Sequence, residues 1–163
     1  MRKNEIDVLK EEVIQLQHEL EVYKQIIEHI SVPIIPSIIP ETNLIPITGR
    51  LTPERLDMIV SAITASPYNK DVTTVIVDFT GVTKEHMQNL NVGIFGSYIQ
   101  KLTNTLRLMG IQTLFTGFSP VIARELIHLE DALLEKLNTF LNFSHALKYL
   151  MKQKKLTLQE IGE

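Results

Sequence analysis

The feature that most constrains this chain is an apolar repeat in its first 31 residues. Apolar side chains recur there at alternating spacings of three and four: Ile6, Leu9, Val13, Leu16, Leu20, Tyr23, Ile27 and Ile30. This spacing is typical of the a/d seam of a coiled coil, and no Gly or Pro interrupts residues 1–31. The repeat therefore predicts an N-terminal coiled-coil helix, and these eight residues are called the seam below.

The residues beside the seam favour a parallel pair of helices. Three of the four a positions are β-branched, which is common in parallel dimers. In a parallel pair, acidic residues face basic or neutral residues five positions later on the other helix: Glu5 with Lys10, Glu12 with Gln17 and Glu19 with Lys24. We therefore expect a homodimer, with a helix packed on its own domain and a higher oligomer as alternatives.

The composition of the remaining chain excludes several classes of function. The protein has 163 residues and no cysteine, so disulfides, thiolate nucleophiles and Cys-based zinc sites are excluded. Residues 32–153 hold ten basic and ten acidic side chains, so nucleic acid is not an expected partner. The longest apolar run, Val32–Pro40, is too short to span a bilayer, and the charged N-terminus does not resemble a signal peptide. We expect no membrane association and a cytoplasmic location.

Residues 32–153 predict an α/β domain with a mixed sheet and crossover helices. Strands are predicted at Val32–Ile39, Leu44–Ile47, Thr73–Val77, Ile111–Thr116 and Thr139–Leu141. The first two should form a hairpin whose prolines place the first strand at a sheet edge. Helices are expected after the N-cap residues Thr52, Ser119 and Ser144, and a long helix should end at Met109 before Gly110. Residues 154–163 are expected to form a frayed tail.

No set of residues in the sequence predicts an enzyme. No Ser lies in a nucleophile-elbow pattern, and the five His residues show no metal-ligand spacing, so neither a metal nor a cofactor is expected. Asp78 follows a buried strand, where α/β sheets place functional residues, although a helix-capping or loop-fixing role is an equal alternative. Gly93 and Gly96 are expected inside the long helix, where small residues would allow close packing on the sheet.

Four segments carry a more specific signal. They are Ile30–Pro36 after the N-terminal helix, Val77–Val82 after a buried strand, Leu106–Ile111, and Thr116–Ala123. Together they resemble STAS domains (sulphate transporter and anti-sigma-factor antagonist), and in particular the RsbR-like proteins of the bacterial stressosome. The resemblance covers roughly residues 30–152 and implies a STAS-like fold.

The resemblance also implies a non-catalytic domain that binds a switch kinase and other STAS proteins, and whose members are phosphorylated on Ser or Thr. The first acceptor position of the family falls on Gly93, or on Met87 without a gap, and the second falls on Glu125. Thr80, Thr83, Ser97 and Ser119 remain as possible acceptors. We expect Asp78, Thr80, Thr83, Gly93, Ser97 and Glu125 to lie in the binding region, with Glu125 as a fixed negative charge.

Two further expectations concern the segment after Asp78. The segment Thr83–Asn91 is longer than the corresponding loop of the family. Its polar composition and its place after a central strand predict an exposed, mobile loop at the binding face. The alternative is that Met87 and Leu90 dock and the segment extends the following helix by two turns. A STAS domain that binds a small molecule near Asp78 is the alternative to a partner-binding module.

Overall fold

The computed structural model describes residues 2–30, 32–66, 70–88, 90–91, 93–127 and 134–159. The side chains of residues 2, 3, 28–30 and 125 are outside this description. The chain divides into two compact units, Met1–Ser31 and Val32–Glu163, and each is considered by itself.

The first unit is a single helix, α1, at Arg2–Ile30. Every residue from 4 to 27 is exposed within the chain, including the seam residues from Ile6 to Ile27. Ile30 also lies in α1, but its side chain is not described. Over the described residues, neither α1 nor any other helix has the length and apolar character needed to cross a membrane.

The second unit is built on one five-stranded sheet. Its strands are β1 (Ile35–Pro36), β2 (Thr42–Thr48), β3 (Thr74–Gly81), β4 (Gln112–Thr116) and β5 (Asn138–Phe140), in that spatial order. β1 is antiparallel to β2, and the other three pairs are parallel. The predicted mixed sheet and its edge hairpin are therefore confirmed.

Helices cover both faces of the sheet. Successive residues of each strand point to opposite sides, so the strands contribute side chains to two separate cores. The helices are α2 (Pro53–Ala65), α3 (Ile94–Leu108), α4 (Pro120–Leu126) and α5 (Phe143–Gln153). One core joins Ile45, Val77 and Phe115 of the sheet to residues of α2, α3 and α4. A smaller core joins Ile76 and Leu114 to Ala146 and Leu150 of α5. The crossover helices predicted from the sequence are thus confirmed.

The helix starts were predicted from short local patterns, and two of three are confirmed. The hydroxyl of Thr52 accepts a hydrogen bond from the N–H of Arg55 at 3.2 Å, and Ser119 accepts one from Ile122 at 3.3 Å. The prediction that Ser144 caps the last helix is wrong. The cap is Asn142, whose Oδ1 accepts from the N–H of His145 at 3.1 Å, so the helix begins one residue before Ser144.

The start of the predicted C-terminal tail is held in place. The N–H of Leu156 donates to the carbonyl of Met151 at 2.8 Å, which closes the end of α5. The ammonium of Lys154 donates to the carbonyl of Pro40 at 2.6 Å and lies 3.4 Å from a carboxylate oxygen of Glu41. Lys154 is therefore tied to the loop before β2, and Leu156 is tied to the end of α5, whereas a frayed tail was expected.

Candidate partner-binding site at the carboxyl ends of the parallel strands

Asp78 links the ends of two neighbouring parallel strands. Its Oδ1 accepts hydrogen bonds from the hydroxyl of Thr80 at 2.8 Å and from that of Thr116 at 2.5 Å. Thr116 is fully buried and pairs with Asp78 in the β3–β4 register, so this contact fixes β4 against β3. This geometry shows that Asp78 fixes the strand ends, and its place in a binding site stays a prediction.

The backbone of Gly117 packs closely against Thr80. Gly117 has a φ of 72°, and a Cβ at this position would lie 2.5 Å from the backbone nitrogen of Thr80 and 2.8 Å from its Cα. Only glycine allows the loop after β4 to approach so closely. The end of β3 is therefore rigidly positioned although the Thr80 side chain itself is exposed.

Beneath these strand ends lies a cluster of four phenylalanines. The Phe79 ring lies 5.5 Å from the rings of both Phe95 and Phe118, and Phe115 stacks on Phe118 at 5.7 Å. Because Phe79 is in β3 and Phe95 is in the first turn of α3, the cluster fixes the start of α3 to the strand ends. Phe79 and Phe118 lie within the segments Val77–Val82 and Thr116–Ala123, but no pattern in the sequence indicates that the four rings meet.

The segment that follows β3 is more ordered than its composition predicts. Glu85–Met87 form a single 3-10 turn, and the N–H of Leu51 donates to the carbonyl of His86 at 2.9 Å. Met87 is buried in the main core, and Leu90 packs against it. The expectation of an exposed loop is thus wrong for these two residues. The alternative of a two-turn extension is also wrong, because α3 begins at Ile94.

The polar residues of this segment face outward and bond to one another. The N–H of Thr83 donates to Nδ1 of His86 at 3.1 Å. Hydrogen bonds from the backbone N–H of Glu85 and from the Thr83 hydroxyl lower the pKa of the Glu85 carboxyl below its usual value. Thr83, Lys84, Glu85, Gln88 and Asn91 are exposed. The segment therefore presents a polar surface anchored by Met87.

Gly93 lies just outside α3, which corrects the prediction that it lies within the helix. It is the N-cap residue with a φ of 86°, and a Cβ would meet no atom within 4 Å. Its backbone conformation, rather than close packing, accounts for the glycine. Gly96 is buried within the helix, as expected.

The remaining predicted residues are separate from Asp78. The exposed hydroxyl of Ser97 donates to the carbonyl of Ile94 at 2.7 Å. Glu125 lies in α4, but its side chain is outside the described residues. Among the described contacts, Asp78 and Thr80 touch directly, and no hydrogen bond joins Gly93 or Ser97 to them. Asp78, Thr80, Thr83, Gly93 and Ser97 are together called the strand-end surface below.

Among the described residues, neither a group of metal-ligating side chains nor any of three surface cavities lies at this surface. Within the described residues, no three His, Asp or Glu side chains are grouped as a metal would require. Three surface cavities are lined by residues of α1 or by the end of α5 and the residues after it, and none of the three includes a residue between 78 and 93.

Comparisons with known proteins identify the fold. No protein-family model matches the sequence, and neither does any curated protein. Among solved structures, an RsbS variant from Moorella thermoacetica matches 77% of this chain and 98% of its own, with a TM-score of 0.59 and 16% identity.

A chain from the stressosome, described as a signal integration and transduction hub, matches 76% of this chain and 100% of its own at 14% identity, with a TM-score of 0.57. The phosphorylated form of SpoIIAA, a Bacillus cell fate determinant, matches 73% and 98% at 15% identity, with a TM-score of 0.50. Identities this low establish the fold alone. The α/β unit of this chain therefore has the STAS fold, as its sequence predicted.

Proposed function

We propose that this chain is a non-catalytic signalling and scaffold protein of a stressosome-like or anti-sigma-factor-antagonist pathway, acting in the cytoplasm. Its fold is that of RsbS and of a stressosome chain. The observation that carries the proposal is the pair of hydrogen bonds that the Asp78 carboxylate accepts. Its carboxylate is bonded to two threonine hydroxyls that fix the strand ends, and no described hydrogen bond joins it to a His or Lys that could act as a base.

The strand-end surface is the proposed contact for a switch kinase or for other STAS proteins. Thr80, Thr83 and Ser97 expose hydroxyl-bearing side chains, and the Cα of Gly93 faces open space. Phe79, Phe95 and Met87 are buried in the main core beside the strand ends and the start of α3, which supports a surface that is formed before a partner binds. A preformed surface loses little conformational entropy on binding, which favours a protein partner. Glu125 would add a fixed negative charge on α4.

A small-molecule role for the same surface has less support. A ligand site is normally a concave, largely apolar pocket. The side chains exposed after β3 are polar, and the three cavities described above lie elsewhere. We therefore do not propose a small-molecule function.

Partner binding can be tested with Arg substitutions on exposed Ser and Thr residues. We expect Thr83→Arg and Ser97→Arg each to weaken binding of a purified switch kinase and of an RsbS-type protein from the same cell by about tenfold or more, as expected when a bulky charge enters an interface centre. Ser61→Arg, on the exposed face of α2, is the matched control. Isothermal titration calorimetry that finds equal affinities for all three variants would contradict this surface.

We further propose that α1 forms a parallel homodimer through the seam. The seven described seam residues, Ile6 through Ile27, are between 51% and 61% exposed. An isolated helix is marginally stable in water, and burial of this apolar row against a second copy would stabilise it. All residues at the g position up to residue 19 are Glu, so an antiparallel pair would bring carboxylates together whereas a parallel pair would not.

The dimer can be tested with Asp substitutions placed on and off the seam. We expect Leu16→Asp/Leu20→Asp to yield a monomer whose α/β unit remains folded. Val8→Asp/Ile14→Asp is the matched control, because these two side chains are equally exposed but lie off the seam. Light scattering should give a dimer for the unaltered chain and for the control. A monomeric unaltered chain refutes the proposal, and a monomeric control refutes the role of the seam.

A further inference from the structure

The last part of the chain is basic in a way that the whole domain is not. Residues 136–163 hold five lysines and two acidic residues, Glu160 and Glu163, whereas residues 32–153 as a whole are balanced. Three of these lysines line a shallow groove at the end of α5. The groove is formed by Lys148, Met151, Lys152, Lys155, Leu156 and Thr157, and is called the C-terminal groove below.

The groove has an apolar floor and a charged rim. The N–H of Leu156 donates to the carbonyl of Met151 at 2.8 Å, which brings these two apolar residues together. Met151 is half-buried, Leu156 is 37% exposed, and Leu158 beyond them is 77% exposed. Lys148, Lys152 and Lys155 are exposed around them.

The rim lysines carry charges that the described part of the chain does not neutralise. Lys154 differs from them, because it bonds to Pro40 and pairs with Glu41. No carboxylate of the described residues lies within ion-pairing distance of Lys148, Lys152 or Lys155. Among the described residues, the charge at the rim therefore has no acidic partner.

Helix stability does not explain why all three rim lysines are present. Cations near a helix C-terminus are favourable, which accounts for Lys152 and Lys154. Lys148, however, lies four residues before Lys152, and like charges at that spacing destabilise a helix. Lys155 has a φ of 54°, a conformation in which Gly or Asn is usual after a helix. Two of the three rim charges are thus placed against local preference.

We propose that the C-terminal groove binds an acidic amphipathic helix of a partner protein. Met151 and Leu156 would receive apolar side chains of one helix face, and the rim lysines would pair with carboxylates that flank that face. Lys148 and Lys152 are one helical turn apart, which matches the i, i+3 and i+4 spacing of such ligands. A nucleic-acid backbone offers nothing to the apolar floor, and a membrane surface requires a broader apolar face than these residues provide.

The groove is distinct from the strand-end surface. Lys154, at its base, bonds to Pro40 and lies 3.5 Å from the hydroxyl of Thr73, residues that precede β2 and β3. The groove is therefore at the amino ends of the parallel strands, opposite Asp78. The proposal does not rest on the proposed function, and the two fail or succeed independently.

The test uses the full chain and two labelled synthetic peptides. One is an amphipathic helix with Leu on one face and Glu on its flanks, and the other has Gln in place of every Glu. We expect fluorescence anisotropy to show binding of the Glu peptide alone, weakened when the salt concentration rises from about 0.05 M to about 0.5 M. Lys148→Gln/Lys152→Gln/Lys155→Gln should weaken binding by about tenfold or more, because all three ion pairs between the rim and the peptide are lost.

The control variant, Lys70→Gln/Lys84→Gln/Arg107→Gln, removes the same charge from exposed positions elsewhere and should bind within about twofold of the unaltered chain. Lys155→Gly is a second groove variant that relieves the left-handed backbone. It should raise the melting temperature and weaken peptide binding, which separates lost charge from lost folding.

Three results would overturn the proposal. They are no binding of the Glu peptide, equal binding of the Gln peptide, and equal loss in the control variant. Phosphatidylserine vesicles and single-stranded RNA are measured in parallel. If either binds through the three rim lysines while the Glu peptide does not, the occupant of the groove is not a protein helix.

Discussion

The close approach of Gly117 to Thr80 gives a prediction whose size follows from the structure. In Gly117→Ala, the new Cβ would lie 2.5 Å from the nitrogen and 2.8 Å from the Cα of Thr80, so backbone must move. An L residue in the left-handed region costs about 1–2 kcal/mol. Overpacking of this kind costs about 1–3 kcal/mol more. We therefore expect the free energy of unfolding to fall by about 2–5 kcal/mol.

Gly110→Ala is the matched control for this substitution. Gly110 has a φ of 78°, but a Cβ there would meet nothing within 4 Å. Only the backbone penalty of about 1–2 kcal/mol should apply. The difference between the two variants isolates the contact with Thr80. Thr80→Ala should not rescue Gly117→Ala, because the backbone of Thr80 remains in the way.

The measurement is urea unfolding followed by circular dichroism. It is made in the Leu16→Asp/Leu20→Asp background, so that association of α1 does not contribute to the stability of the α/β unit. Equal m-values among the variants are required for the comparison. A Gly117→Ala loss no larger than that of Gly110→Ala would refute the proposed role of Gly117 in positioning the strand-end surface.

Three further predictions concern Asp78, Met87 and Glu125. Asp78→Ala should lower the free energy of unfolding by about 1–3 kcal/mol, because it leaves the buried hydroxyl of Thr116 unpaired, and Asp78→Asn should lower it less; equal losses in urea unfolding would contradict this explanation. Met87→Ala should cost about 2–5 kcal/mol as a core truncation. Gln88→Ala, at the exposed neighbouring residue, is the control and should change the free energy of unfolding by no more than about 0.5 kcal/mol. An equally small effect of Met87→Ala would show that the segment is not anchored. Glu125→Ala should weaken binding of a switch kinase or sister STAS protein in calorimetry; a change below about 0.5 kcal/mol would indicate a solvated helix residue instead.

The elements that were predicted well are those specified by local sequence. Thr52 and Ser119 are each followed by Pro, and this pair of residues marks a helix start with little help from the rest of the chain. The β-branched run of β3 and the Thr, Leu and Phe residues of β4 likewise predict buried parallel strands. Ser144 failed as a cap because Asn142 is an equally good capping residue two positions earlier, and the end of β5 decides between them.

The parts that could not be predicted depend on contacts between distant residues. Thr116 meets Asp78 across 38 positions of sequence, so nothing beside Asp78 indicates its partner. Met87 and Leu90 are two isolated apolar residues in a polar segment, and no periodicity identifies them as anchors. The backbone of Gly93 is set by where Met87 and Phe95 pack, and the sequence alone could not separate a helical glycine from an N-cap.

The two edge strands of the sheet are short, and this length has a consequence for the proposed dimer. Two α/β units tethered through paired helices would experience an effective concentration in the millimolar range, at which exposed strand edges tend to join neighbouring sheets. β1, at one edge, is only two residues long, and one of these is Pro36, which has no N–H to donate. β5, at the other edge, has three residues. Tethering can therefore concentrate the units for partner binding without promoting their aggregation into a continuous sheet.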